Sequence, residues 1–236
     1  MPVDEGPRDS TLESSAAQEL ATGLWHWTAP HPDWESSEPW DRNVSSYAID
    51  DGARLLLFDP LGLPREIEER VADRDTAIVL TAPWHERDAE GLVERLGPPV
   101  YTPLPDTAEY LMERFGVTAE QAGDGSPDVV WLLKEGKGEA HPYAAGDRLD
   151  VGVVAFPGHK SNDLVLWVES HRAVVAGDTL ADLGEGLAIN ERWLGPEITR
   201  EQVAEGLRPL LDLPVEQVLA THGGPHDRAT LERVLS

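Results

Sequence analysis

The chain's apolar positions fall into short runs whose period separates strands from helices. Residues 24–28 alternate as a strand does, and a Pro-containing loop follows at 29–34. Residues 45–50 and 54–58 are apolar runs joined by Asp51-Gly52. A Gly there supplies the positive φ of a tight turn, so the pair is expected to be a hairpin. Pro64 opens a helix in which Ile67 and Val71 lie about one turn apart, and residues 77–80 read as a short buried strand. Residues 88–96 form a second helix, ended by Gly97-Pro98-Pro99. A further helical pattern spans 106–122 through Leu111, Met112 and Phe115. Strands are then expected at 129–133, 151–156, 164–168 and 173–176. Thr199 and Gln202 make a capping box for a helix that runs to about Asp212. A strand at 217–220 and a helix from Asp227 complete the pattern. This order fits two sheets covered by helices better than one doubly wound sheet. The first 20 residues are polar and Ser-rich and read as a disordered tail, leaving 21–236 as a single domain.

Charge narrows the function. The 236 residues carry 44 Asp and Glu against 19 Lys and Arg, a net charge of -25. Such a surface repels phosphate backbones and anionic lipid, so nucleic-acid and membrane-surface roles are set aside in favour of a small-molecule substrate. With 0 cysteines, disulfides, thiolate nucleophiles and Cys-ligated metals are excluded. The N-terminus has neither a basic n-region nor an apolar h-region, and no apolar run approaches the roughly 20 residues of a membrane helix. A cytoplasmic protein is expected.

Chemistry collects at strand ends. Four short apolar strands each lead into a loop bearing His or Asp: Thr81-Ala82-Pro83-Trp84-His85-Glu86-Arg87-Asp88, Pro157-Gly158-His159, Gly177-Asp178-Thr179 and Thr221-His222-Gly223-Gly224-Pro225-His226. Strand ends are rigid mounts, and imidazole and carboxylate are the ligands left for a divalent metal in a chain without Cys. There is no Gly-x-Ser-x-Gly elbow, and Phe156-Pro157-Gly158-His159-Lys160-Ser161 lacks the Gly before Lys of a phosphate-binding loop.

These landmarks, with Asn43-Val44-Ser45-Ser46-Tyr47 and Leu56-Leu57-Phe58-Asp59 before them, resemble the metallo-β-lactamase fold superfamily from about residue 22 onward. The resemblance implies an α/β (α+β) fold, a four-layer αββα sandwich of two mixed sheets with a metal site along one edge. It implies that His159 binds one metal, His222 a second, and that Asp178 bridges them. The first motif departs from the pattern. Where the family carries Thr-His-x-His-x-Asp-His, an ungapped alignment puts Ala82, Trp84 and Arg87 at the His positions and Glu86 at the Asp position. A one-residue slip instead places His85 at the second His and Asp88 at the last, with Pro83 at the first. A full two-metal site is therefore not expected.

The reduced set is His85 or Asp88 together with His159, Asp178 and His222, with Glu86 as a fallback ligand. It leaves three or four donors for one divalent ion, zinc first, with iron or manganese as alternatives. Asp88 or Glu86, where not a ligand, is the candidate to move a proton. The implied reaction is hydrolysis of an ester, thioester, lactone, amide or phosphoester through a metal-activated water. The rival expectation is a metal-free descendant of the fold that binds a ligand or a protein. His226 is a candidate partner for a ligating His, and the loop from Ala29 to Trp40 a candidate wall of the cleft. Residues 103–128 and 180–197 are candidate specificity segments. In the second of these, Glu185, Asn190, Arg192 and Trp193 are candidates to reach the site, with a solvated loop as the default reading. Among the remaining histidines, His26, His31, His141 and His171 read as surface or packing residues.

Overall fold

The computed structural model describes residues 14–195 and 198–236. Its first sheet has seven strands in sequence order: β1 (Gln18–Ala21), β2 (Leu24–Pro30), β3 (Asn43–Asp50), β4 (Leu55–Phe58), β5 (Thr76–Val79), β6 (Val100–Pro103) and β7 (Ala140–Tyr143). β1 to β4 are antiparallel, with the Asp51-Gly52 turn between β3 and β4 as the sequence suggests. From β4 to β7 the pairs are parallel, which requires crossover connections. These are α1 (Arg65–Asp73), α2 (Ala89–Leu96) and the three short helices α3 (Ala108–Phe115), α4 (Ala119–Ala122) and α5 (Val130–Leu133).

The second half supplies β8 (Arg148–Leu149), β9 (Val153–Lys160), β10 (Asp163–Val168), β11 (Ala173–Val175), β12 (Leu180–Asp182), β13 (Leu187–Ile189), β14 (Gln217–Ala220) and β15 (Gly224–Asp227). Six of them form a sheet in the order β15-β14-β11-β10-β9-β8, while β12 and β13 pair as a separate ribbon. Only β11 and β14 run parallel in that sheet, bridged by α6 (Arg200–Leu207) and a following 3-10 segment. The last helix is α7 (Arg228–Leu235), capped by Asp227, whose side chain accepts from the Thr230 amide. Thr199 and Gln202 form both bonds of the capping box on α6.

Both sheets are covered on both faces, which explains why β4 is apolar throughout, and β10 from Leu164 onward, with no alternation. Leu56, Phe58 and Val79 meet Val153, Leu164, Leu166 and Leu219 between the sheets. Leu55, Leu57 and Ile78 pack outward on Ile67, Val71 and Leu92 of α1 and α2. Val165, Val174 and Val218 pack outward on Val203, Leu207 and Leu231 of α6 and α7. Four layers result: helices, sheet, sheet, helices. No helix among the described residues is long and apolar enough to cross a membrane.

Some local expectations change. Residues 129–133 form the turn of α5 and not a strand; Val129 enters it at φ 47°. A run of four or five apolar residues fits either structure, and here the turn carries the Trp131 indole to Glu86. The 106–122 helix is broken at Gly116, in the left-handed region at φ 65°, and a new capping box at Thr118 starts α4. None of α3 is buried, and Phe115 is 59% exposed. The tail expected over 1–20 ends in β1, and Ala17 donates its amide to Glu66. Residues 1–13 lie outside the described residues.

Candidate active site

The four strand-end loops meet at one edge of the two sheets. After β5 comes Thr81, then one 3-10 turn, Pro83–His85, and then Arg87 at φ 42°. The turn sets His85 in the interior at 5% exposure. Its Nδ1 lies 2.8 Å from the Thr81 hydroxyl and 3.1 Å from Asp59 Oδ2, so its Nε2 is left for the cleft. His159, near the end of β9, is held in the same manner: its Nδ1 is 2.6 Å from Asp163 Oδ2, and its amide donates to Thr179 Oγ1. Such carboxylate and hydroxyl partners fix a ring's tautomer and orientation.

Asp163 reaches this position because two neighbours have no side chain. A Cβ at Gly158 would fall 2.0 Å from the Asp163 carbonyl oxygen, and one at Gly177 would fall 2.6 Å from Asp163 Oδ1. Gly177 also sits at φ 55°, the left-handed turn that presents Asp178. The Asp178 amide donates to Asp163 Oδ1 at 3.1 Å. Its carboxylate is shared by three side chains. Oδ2 accepts from the Trp84 indole at 2.9 Å. Oδ1 lies 3.2 Å from His85 Nε2 and 3.3 Å from His222 Nε2. Yet Oδ1 is buried with no hydrogen bond, because neither imidazole is aimed at it well enough to make one. His222 Nδ1 is likewise buried without a partner.

Electrostatics couple these groups. Burial opposes a charge on His85, but the Asp178 and Asp59 carboxylates outweigh it and push its pKa up to about 10. Burial would raise Asp178, but His85 and His222 hold it well below the usual carboxylate range. Arg87 adds a second fixed cation, donating to the carbonyls of Ser45 at 3.0 Å and Asp59 at 2.7 Å.

His85, His159, Asp178 and His222 line one cleft of about 430 Å³. Trp40, Trp84 and Trp193 wall it, and Arg87, Lys160 and His31 complete much of the rim. The Trp40 and Trp193 rings flank His222 at centroid distances of 5.0 and 5.4 Å. His31 and Trp40 come from the early loop expected to wall the cleft. His31, expected singly as a surface or packing residue, reaches the cleft with that loop, and Lys160 carries no sequence signal of its place here.

Two candidates for proton transfer lie elsewhere. Glu86 Oε2 accepts from the Val129 amide at 2.7 Å and the Trp131 indole at 2.8 Å, and burial raises its pKa. Asp88 stands at the start of α2 without a side-chain capping bond and accepts instead from the Gly62 amide at 2.5 Å. Neither lines the cleft with the expected ligands: Asp88 fastens the Gly62 loop, and Glu86 the Val129–Trp131 turn. His226 is also absent from the cleft; its Nε2 lies 3.6 Å from Asp182. Glu185, Asn190 and Arg192 line a neighbouring cavity of about 380 Å³.

The donor set fits a metal ion in part. Arms of about 2.0–2.1 Å place the ligand atoms of a tetrahedral ion about 3.3 Å apart. The two spacings at Asp178 Oδ1, 3.2 and 3.3 Å, match that edge. Among the described residues, however, no group of three or more His, Asp or Glu is already arranged to hold an ion. The donors are gathered but not closed around a point.

No family model matches the sequence, and no curated protein matches it. Solved structures do. The DIM-1 metallo-β-lactamase superimposes with a TM-score of 0.58 at 15% identity, covering 94% of this chain and 97% of that one. A metallo-β-lactamase from Erythrobacter litoralis gives 0.59 at 14% identity, with 93% of each chain covered. One from Pontibacter korlensis gives 0.57 at 16%, covering 93% and 96%. The chain has the metallo-β-lactamase fold across nearly its whole length.

Proposed function

We propose that the protein is a metal-dependent hydrolase working with one divalent ion per chain, held by His85, Asp178 and His222 with His159 as the fourth donor. The observation that carries this reading is Asp178 Oδ1, buried without a hydrogen bond between two imidazole nitrogens at ligand-to-ligand spacing. A buried, unbonded carboxylate oxygen is costly, and an ion removes that cost. Two ions do not fit, because Ala82 offers no donor, Trp84 spends its indole on Asp178, and Arg87 brings a fixed positive charge to the cleft.

The bound ion would lower the pKa of a water towards neutrality and polarise the bond to be cleaved. Asp59 and Asp163 hold the rings of His85 and His159 in place. The tryptophans exclude water and offer flat apolar walls. Asp178 is the one carboxylate among the lining residues, and it is already committed to Trp84 and the imidazoles. A leaving group that needs no proton, such as a thiolate or phenolate, suits this site better than an amine.

The second reading is a metal-free binding module. It draws support from the open arrangement of the donors and from the cationic His85 beside Arg87. Turnover of a panel of aryl esters and thioesters, with zinc, iron(II) or manganese and then with chelator, separates the two. Hydrolysis that chelator removes and metal restores supports the hydrolase. No turnover with any ion favours the binding module.

A further inference from the structure

The cleft continues past His159 into a second cavity of about 370 Å³; both are lined by His159, Lys160 and Trp193. The shared lining makes one groove, with the imidazoles at one end and Tyr110, Arg114, Phe115 and Ile198 at the other. Lys160 stands at the junction. It is one of 3 lysines in a chain of net charge -25. The other two are engaged: Lys137 with Glu90 and Glu135, and Lys134 with the Asp124 carbonyl. Among the described residues Lys160 pairs with no carboxylate; its Nζ rests 4.4 Å from the centroid of the Trp84 ring. Trp84 in turn holds Asp178, so this cation is fixed beside the reacting end.

Arg114 is the second cation of the groove. Its guanidinium lies against the Gly195 backbone, so closely that a Cβ there would fall 2.4 Å from Nη2. It too has no carboxylate partner among the described residues. Among the described residues the one carboxylate lining that end, Asp106, accepts from the Asn162 amide at 2.9 Å. On a surface this acidic, two cations beside the Trp84 and Phe115 rings, with no carboxylate partner among the described residues, make a local reversal of charge.

We infer that the groove binds a monoanionic carboxylate ligand with an apolar or aromatic body, its carboxylate held by Lys160 and Arg114. As a statement about a substrate this rests on the hydrolase reading; as a statement about a ligand it does not. An oxyanion is the shared chemistry of carboxylate and phosphate. A single charge is favoured over a double one, because the field of the whole chain repels a dianion more strongly.

The test is binding and does not need turnover. The protein is labelled with 5-fluorotryptophan, and the Trp84 and Trp193 signals are assigned by Trp→Phe variants. Each signal is then followed by fluorine NMR during titration with phenylacetate, phenylacetamide and phenyl phosphate. Phenylacetate should bind about tenfold more tightly than its amide, as expected for a charge-assisted bond in a half-buried groove. Lys160→Met should abolish most of that preference and Arg114→Gln part of it, with melting temperature unchanged. Equal affinity for acid and amide, no binding of the acid, or a preference that survives both substitutions would overturn the inference. Tighter binding of phenyl phosphate would overturn the carboxylate assignment. A preserved preference in a protein that hydrolyses nothing supports the inference and counts against the hydrolase reading alone.

Discussion

Asp59 is the carboxylate on which the site rests, and replacing it with Asn tests the account at its base. It ends β4 at φ 45° and is 2% exposed. Oδ1 accepts from the Thr81 amide at 2.8 Å, and Oδ2 from the Thr81 hydroxyl at 2.6 Å, beside His85 Nδ1 at 3.1 Å. Burial would raise its pKa, but the charges of His85 and Arg87 and the Thr81 hydroxyl outweigh it and hold the group below its ordinary 3.8. A depressed carboxylate contributes stability that is present above its unfolded pKa and lost as pH falls through the folded one, so at pH 7 the contribution is complete.

Asp59→Asn keeps the volume but removes the charge and turns an amide group towards a set of donors. Breaking a buried ion pair from one side costs about 3–5 kcal/mol. In a chain of this length that lowers the melting temperature by roughly 10 °C, at about 2–4 °C per kcal/mol. As the partner of a proposed ligand, the same change should weaken metal affinity by about 10–100-fold. Calorimetry at pH 7 with and without chelator, and zinc titration against a chromophoric competitor, give the two numbers. Asp50→Asn is the control, because the Arg74–Asp50 pair is 34% and 26% exposed and should cost no more than about 1 kcal/mol. If Asp59→Asn melts within about 2 °C of wild type and binds zinc as well, the reasoning fails.

Three further outcomes are expected. His85, with a pKa raised to about 10, is protonated at pH 7 without metal and must lose that proton to become a ligand. Metal uptake measured calorimetrically in buffers of different ionisation enthalpy should therefore release about one proton per ion, and release of none would remove His85 from the ligand set. Burial lowers the pKa of His26, hydrogen-bonded to Ser45, to about 4. The unfolded chain then takes up this proton first, so stability should fall between pH 6.5 and 4, and urea midpoints for His26→Gln should fall less over that window. Glu86→Gln should cost about 1–2 kcal/mol through its bonds to Val129 and Trp131 and leave ester turnover unchanged. Turnover lost from a folded Glu86→Gln would return the proton-transfer role to it.

What the sequence made legible follows from burial. Strands covered on both faces, such as Leu55–Phe58 and Asp163–Val168, are mostly apolar and easily found. Their neighbours β6 and β7 are not, because Pro103 and Pro142 interrupt the pattern in strands that pair at the far side of the first sheet. His159, Asp178 and His222 were legible because each directly follows, or closes, a buried strand. The choice among His85, Glu86 and Asp88 was not, since it depends on one turn of 3-10 helix that carries His85 inward and leaves Glu86 and Asp88 to fasten other segments. Trp193 was among the residues expected to reach the site, but that it faces the cleft while Glu185, Asn190 and Arg192 do not, and that Lys160 and His31 do, follows from the path of whole loops, which no local spacing encodes.

The central claim is that this cleft holds one divalent ion, and metal content measures it directly. Elemental analysis of protein purified without chelator, then stripped and reloaded with zinc, iron or manganese, should give about one ion per chain in wild type. Asp178→Ala should give none, since that carboxylate touches both His85 and His222. Two ions per chain, or no ion above background after reloading wild type, would contradict the account.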